Sequence, residues 1–159
     1  MDPEVCHDCL GSLLGDESTA LSQLEALLQR EHEVLQAGDV AALNATAHQR
    51  QAKIGELAQI EEQRRSLCRL HGHSADRAGL EALVMWCDPQ GSLVSRLREC
   101  AERAVRCRDL NDRNGALVNA RLRNVSDRLA VLTGRGEAAV TYGPKGTAPV
   151  RPGRVLGAA

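Results

Sequence analysis

"RDLNDRNGALVNARL", residues 108–122, contains Asn114-Gly115, a dipeptide that between apolar runs is normally a strong signal for a tight turn. Whether the chain turns there decides between a protein of many short elements and one of a few long helices. Counting through the dipeptide settles it. The residues Leu93, Leu97, Cys100, Ala104, Cys107, Asn111, Asn114, Val118, Leu122, Val125, Leu129 and Leu132 follow one another in steps of three or four. A turn would restart the phase arbitrarily, and no alternating strand pattern flanks the dipeptide to make a hairpin. A single helix over about 90–133 is therefore expected, with a seam repeating every ~3.5 residues that implies coiled-coil-like packing.

Keeping Gly115 inside a helix costs about 1 kcal/mol relative to alanine, and asparagine is also a poor helix former. Two explanations offset that cost. Gly115 could allow a neighbouring helix close while Asn111 and Asn114 fix register, as polar seam residues do in coiled coils. Alternatively, the three residues could line a polar recess in which another chain docks.

Upstream, Leu10, Leu13, Leu14, Leu21, Leu24, Leu28 and Leu35 recur at helical spacing, with Glu17 and Glu31 at intervening seam positions; this predicts a helix over about 4–37. Gly38-Asp39 supplies a left-handed stop followed by an N-cap, so the chain should reverse tightly into a second helix over about 40–71. The apolar line of that helix is Leu43, Ala47, Ile54, Leu57, Ile60 or Glu61, Leu67 and Leu70. A short helix is expected over about 76–86. Asp88-Pro89 offers an N-cap with proline at the first helical position for the last helix, which starts there or at Ser92. After Gly134, glycine and proline accumulate and the apolar period stops, so 135–159 reads as a flexible tail. The fold class is thus all-α: an elongated antiparallel three-helix bundle over 1–134.

Charge and composition narrow the function. Residues 1–39 carry nine Asp/Glu against one Lys/Arg, and residues 92–159 carry thirteen Lys/Arg against six Asp/Glu, which favours packing the first helix against the last. The last helix is arginine-rich, but its arginines are spread around the helix and interrupted by acids, and Trp86 and Tyr142 are the whole aromatic complement. Nucleic-acid binding is not expected. No run approaches the roughly 20 apolar residues of a membrane span, and the acidic start is unlike an export signal; a cytoplasmic protein with reduced thiols is expected. Cys6 and Cys9, with Cys68, His71 and His73, have spacings that could suggest zinc, but a second CxxC is missing. Neither metal nor cofactor is expected. Without a nucleophile elbow, phosphate loop or triad, the chain reads as a binding protein and not an enzyme. Tyr142 either anchors a partner or folds back onto the bundle.

The layout resembles the FlgN-type flagellar export chaperones. The resemblance rests on "LNDRNGALV" (110–118) within a long final helix, "TYGPKG" (141–146) and the basic end "RPGRVLGAA" (151–159), with "LLQREHEVLQAGDVAAL" (27–43), Lys53 and "EEQRRSLC" (61–68) in support. It implies a substrate-specific chaperone that holds hook-filament junction proteins by their C-terminal segments and delivers them to the cytoplasmic domain of the export-gate protein. The client would occupy an apolar groove along the last helix, at Asn111, Asn114, Gly115, Val118, Leu122, Val125, Leu129 and Leu132. Gate docking would fall to Tyr142, Gly143 and Gly146. A structural coiled-coil adaptor or homodimer is the alternative.

Overall fold

The computed structural model describes residues 2–134 and holds four α-helices in the order α1 (Pro3–Ala37), α2 (Val40–Leu70), α3 (Arg77–Cys87) and α4 (Ser92–Leu132). The all-helical expectation holds, and there is no strand among the described residues. The tail expected at 135–159, with Tyr142, Gly143 and Gly146, lies outside them. The chain divides into two compact units, Met1–Ala120 and Arg121–Ala159, and α4 contributes to both.

Each helix boundary has a local cause. Asp2 caps α1, its carboxylate accepting from the Glu4 backbone N–H at 3.1 Å, with Pro3 at the start of the first turn. At the other end Gly38 adopts φ 78° and donates to the Val34 carbonyl at 2.9 Å; a side chain would be strained in that conformation. Asp39 then caps α2 through the Ala42 N–H at 3.0 Å, so the reversal takes only two residues. Asp76 caps α3 by accepting from the Gly79 N–H at 2.9 Å. A Cβ on Gly79 would fall 1.8 Å from the Ser74 carbonyl oxygen, which makes glycine mandatory for this entry.

Of the two starts expected for the last helix, α4 takes the later one, Ser92. Pro89 is not in its first turn: residues 89–90 form a turn, Gly91 takes φ 76°, and the helix begins at Ser92. Asp88 still serves the helix from a distance, accepting from the Leu93 N–H at 2.5 Å and the Ser92 hydroxyl at 3.1 Å. Those donors, the Leu93 N–H foremost, hold its carboxyl below the usual carboxylate range.

Within Met1–Ala120 the core is a contiguous cluster built on Leu10, Leu14, Leu21, Leu24 and Leu28 of α1, Leu67 and Cys68 of α2, Leu80, Leu83, Val84 and Cys87 of α3, and Leu93, Cys100 and Cys107 of α4. Ion pairs Glu17–Arg64 (2.8 Å) and Glu31–Arg50 (3.6 Å) join α1 to α2 in reversed chain order; the two helices run antiparallel. Side chains from α4 meet α1 in forward order. The Cys100 thiol donates to the Leu14 carbonyl and the Cys107 thiol to the Leu21 carbonyl, each at 3.6 Å, and Asn114 donates to the Leu28 carbonyl at 2.9 Å. The sequence separation is 86 in every case. A constant offset repeated every seven residues means parallel helices in heptad register. Small side chains at these positions let the two backbones lie close.

Of the expected apolar line of α1, Leu10, Leu14, Leu21, Leu24, Leu28 and Leu35 are buried and Leu13 is partly buried, but that of α2 needs correction. Ile54 and Leu70 are exposed, whereas Thr46 is buried with its hydroxyl turned back to the Ala42 carbonyl, which satisfies it inside its own helix. On α4 burial is sparser than the seam suggested: only Leu93, Cys100, Cys107 and Asn114 are buried.

Five of the six free cysteines are buried and Cys9 is exposed. Burial pushes the Cys6 thiol up to about 12 and the Cys100 thiol to about 11, and raises Cys68, Cys87 and Cys107 as well. Neutral, enclosed thiols are poor nucleophiles. In native protein near pH 8, a thiol reagent should therefore label Cys9 rapidly and the other five only after denaturant is added, as counted by intact-mass spectrometry. Rapid labelling of several thiols would contradict the packing described.

The Asp88 cap gives a second expectation. Its carboxyl pKa is lowered on folding, so its contribution to stability is present above the ordinary carboxylate pKa of about 3.9 and is lost as pH falls through the folded value. Asp88→Ala should lower the urea midpoint at pH 7, and the gap from the parent should shrink as the pH is taken below about 4.

Candidate partner-binding site

Asn111 and Asn114 are the residues that the sequence marks most strongly, and the structure places them in a polar layer joining three helices. Asn114 is buried, and α1 saturates it. Its amide nitrogen donates to the Leu28 carbonyl at 2.9 Å and to Glu31 Oε2 at 3.1 Å, and its Oδ1 faces His32 Nδ1 at 2.9 Å. The Gln36 amide nitrogen meets His32 Nε2 at 3.0 Å, so the ring bridges Asn114 and Gln36. From α2, Arg50 closes the layer: Nη1 donates to Asn111 Oδ1 at 3.1 Å, and Nε lies 3.6 Å from Glu31 Oε1.

Of the two explanations for the NxxNG segment, this geometry supplies the register half for Asn114. It removes the close-approach half for Gly115, because a Cβ there would meet nothing within 4 Å. Glu31 had been legible as a seam position. His32 and Arg50 were missed; the signal for them was the buried amide itself, which needs polar partners at its own level on both neighbouring helices.

Beyond Asn114 the apolar period continues but burial ends. Val118 sits at the edge of exposure, and Leu122, Val125, Leu129 and Leu132 are 62%, 55%, 54% and 81% exposed. The last four fall within Arg121–Ala159 and share one helical face, since steps of three and four keep them on one side of the helix. Together they form an exposed leucine-valine stripe on α4.

A second apolar surface, not foreseen from the sequence, lies within Met1–Ala120. A groove of about 870 Å³ is lined by Leu80, Val84 and Met85 of α3, Val94, Leu97 and Ala104 of α4, and charged residues of α2. Its wall is fixed by Arg64, which pairs with Glu17 and Glu61. Burial raises the Glu17 carboxyl even though Arg64 opposes the shift. Among the described residues no group of three or more His, Cys, Asp or Glu is placed to hold a metal ion, and no helix is long and apolar enough to cross a membrane.

The described residues thus combine helices joined by an interior polar layer with exposed apolar side chains on α4. The family model described as FlgN protein matches residues 8–149, most of the chain, and the chain belongs to that family. FlgN proteins are chaperones of flagellar export. No curated protein and no solved structure matches the chain.

The polar layer is testable through stability. Asn114→Ala removes a donor from buried Glu31 and a partner from His32, so it should cost about 1–3 kcal/mol, read as a fall in the urea midpoint. Gly115→Ala, with open space and a better helix former, should raise stability by up to about 1 kcal/mol.

Proposed function

We propose that this chain is a cytoplasmic, substrate-specific chaperone of the flagellar type III export system. It holds hook-filament junction proteins by their C-terminal segments before export and delivers them to the cytoplasmic domain of the export-gate protein. The observation that most supports the holding role is the exposed stripe Leu122, Val125, Leu129 and Leu132. A client segment that must later assemble with its own kind carries an apolar helix face, and a matching face on the chaperone covers it in the meantime. An antiparallel three-helix bundle with coiled-coil-like packing is part of this reading.

Among the eight residues assigned to the client, Val118 and the four stripe residues would make the contact. Asn111, Asn114 and Gly115 mark the level at which the helix passes from packed to open. Tyr142, with Gly143 and Gly146, would dock on the gate, an aromatic anchor between residues that favour turns. Release then needs no nucleotide, only moderate affinity and a competing surface.

Isothermal titration with the C-terminal segments of the organism's own hook-filament junction proteins tests the reading, with flagellin as the control. Saturable binding to the former alone is expected. Leu122→Ser and Leu129→Ser should each weaken it by about tenfold or more, because each withdraws a buried leucine from the interface. Tyr142→Ala should weaken gate docking and leave client affinity intact. Binding to none of these segments, together with a dimer in sedimentation, would return the chain to the adaptor alternative.

A further inference from the structure

The groove beside α3 combines an apolar lining with one uncompensated charge. Most of its charged residues are matched within the chain: Arg64 pairs with Glu17 and Glu61, Arg65 with Glu61 at 2.9 Å and Arg77 with Glu81 at 2.8 Å. Asp76 is occupied as the N-cap of α3. Arg98 lines the same groove from α4 and is exposed, with no hydrogen-bond or ion-pair partner among the described residues. Along α4 the lining runs from Val94 to Ala104, a length of about 15 Å or roughly three helical turns. Ala101 and Ala104 on this face are exposed, and their short side chains leave room above them. Met85, which also lines the groove and is 76% exposed, is a side chain that adapts to differently shaped neighbours.

We propose that this groove takes the C-terminal end of a client polypeptide, with its last apolar side chains over Ala101 and Ala104 and its terminal carboxylate on Arg98. The proposal rests on the chaperone reading and adds a contact separate from the stripe. A short apolar groove with a single uncompensated cation matches a chain end, which brings apolar side chains and one carboxylate together. A segment from the middle of a chain lacks that terminal charge and would need an acidic side chain at one chosen position. The guanidinium gives a carboxylate a planar, two-point partner. Because Arg98 is exposed, the pair selects the chain end by a few-fold and leaves most of the affinity to apolar contact.

The probes are the C-terminal segments of the organism's own hook-filament junction proteins, each as the free acid, as the C-terminal amide, and with Gly-Ser-Gly added beyond its natural end. Amidation removes the charge, whereas extension keeps it and moves it away. Titrated against the full chain by fluorescence anisotropy, the free acid should bind about three- to tenfold more tightly than either altered form at low salt, and the advantage should narrow as salt is added. Arg98→Gln should abolish the advantage of acid over amide and leave the affinity of the amide as it was. Ala101→Leu, which fills the groove, should weaken every form; circular dichroism confirms that both variants are folded. Leu129→Ser, on the stripe, should weaken binding and keep the acid-to-amide ratio. Equal binding of acid and amide, or a ratio that survives Arg98→Gln, would overturn the proposal; if Leu129→Ser still weakens binding, the chaperone reading stands without it. Binding to none of the segments in any form would overturn both.

Discussion

The structure of residues up to Ala120 depends on how closely α4 can approach α1. Three small side chains make that approach, two thiols and one carboxamide, each reaching a backbone carbonyl of α1 at a constant offset of 86 residues. A leucine at any of these positions would hold the helices further apart and leave the partner carbonyl facing hydrocarbon. Thiols are weak donors, so the first two contacts mainly report proximity. The third is a full hydrogen bond made by an amide with two further partners, and it fixes the register that the others share.

That register explains why the cysteines are where they are. Cys100 and Cys107 are core residues chosen for size, and their raised pKa follows from enclosure rather than from any reactive role. The same holds for Cys6, Cys68 and Cys87, which fill the end of the core where α1, α2 and α3 converge. With no phenylalanine in the chain and one tryptophan, filling irregular space falls to sulfur and leucine. Trp86 stays partly exposed and leans on the His71 ring, centroids 5.0 Å apart.

Much of this was legible in advance. Phase continuity through Asn114-Gly115 required one long helix, and Gly38-Asp39 announced both a left-handed stop and the next cap. The seam of α1 could be read residue by residue because leucine filled nearly all of it. Periodicity failed where polarity and burial part company. Thr46 is inside because its hydroxyl bonds within its own helix, and Ile54 is outside although it is apolar. On α4 an unbroken apolar period implied one continuous seam, yet a period records which residues share a face and not whether anything covers that face. The groove lined by α3 depends on the path between Leu70 and Arg77, which no repeat encodes. For the role proposed for Tyr142, Gly143 and Gly146, only the family resemblance speaks.

The two-residue reversal at Gly38-Asp39 also has a consequence for the order of assembly. It brings α1 and α2 together across a very short loop, whereas every contact between α1 and α4 must close a span of more than eighty residues. Closure entropy rises with span, and non-local contacts form late for that reason. On a chain emerging from the ribosome, the α1–α2 hairpin can form while α4 is still unmade, and α4 must then find a groove already built. The helix that carries the NxxNG segment and the apolar stripe is thus the last piece in, and its docking is the step at which the core closes.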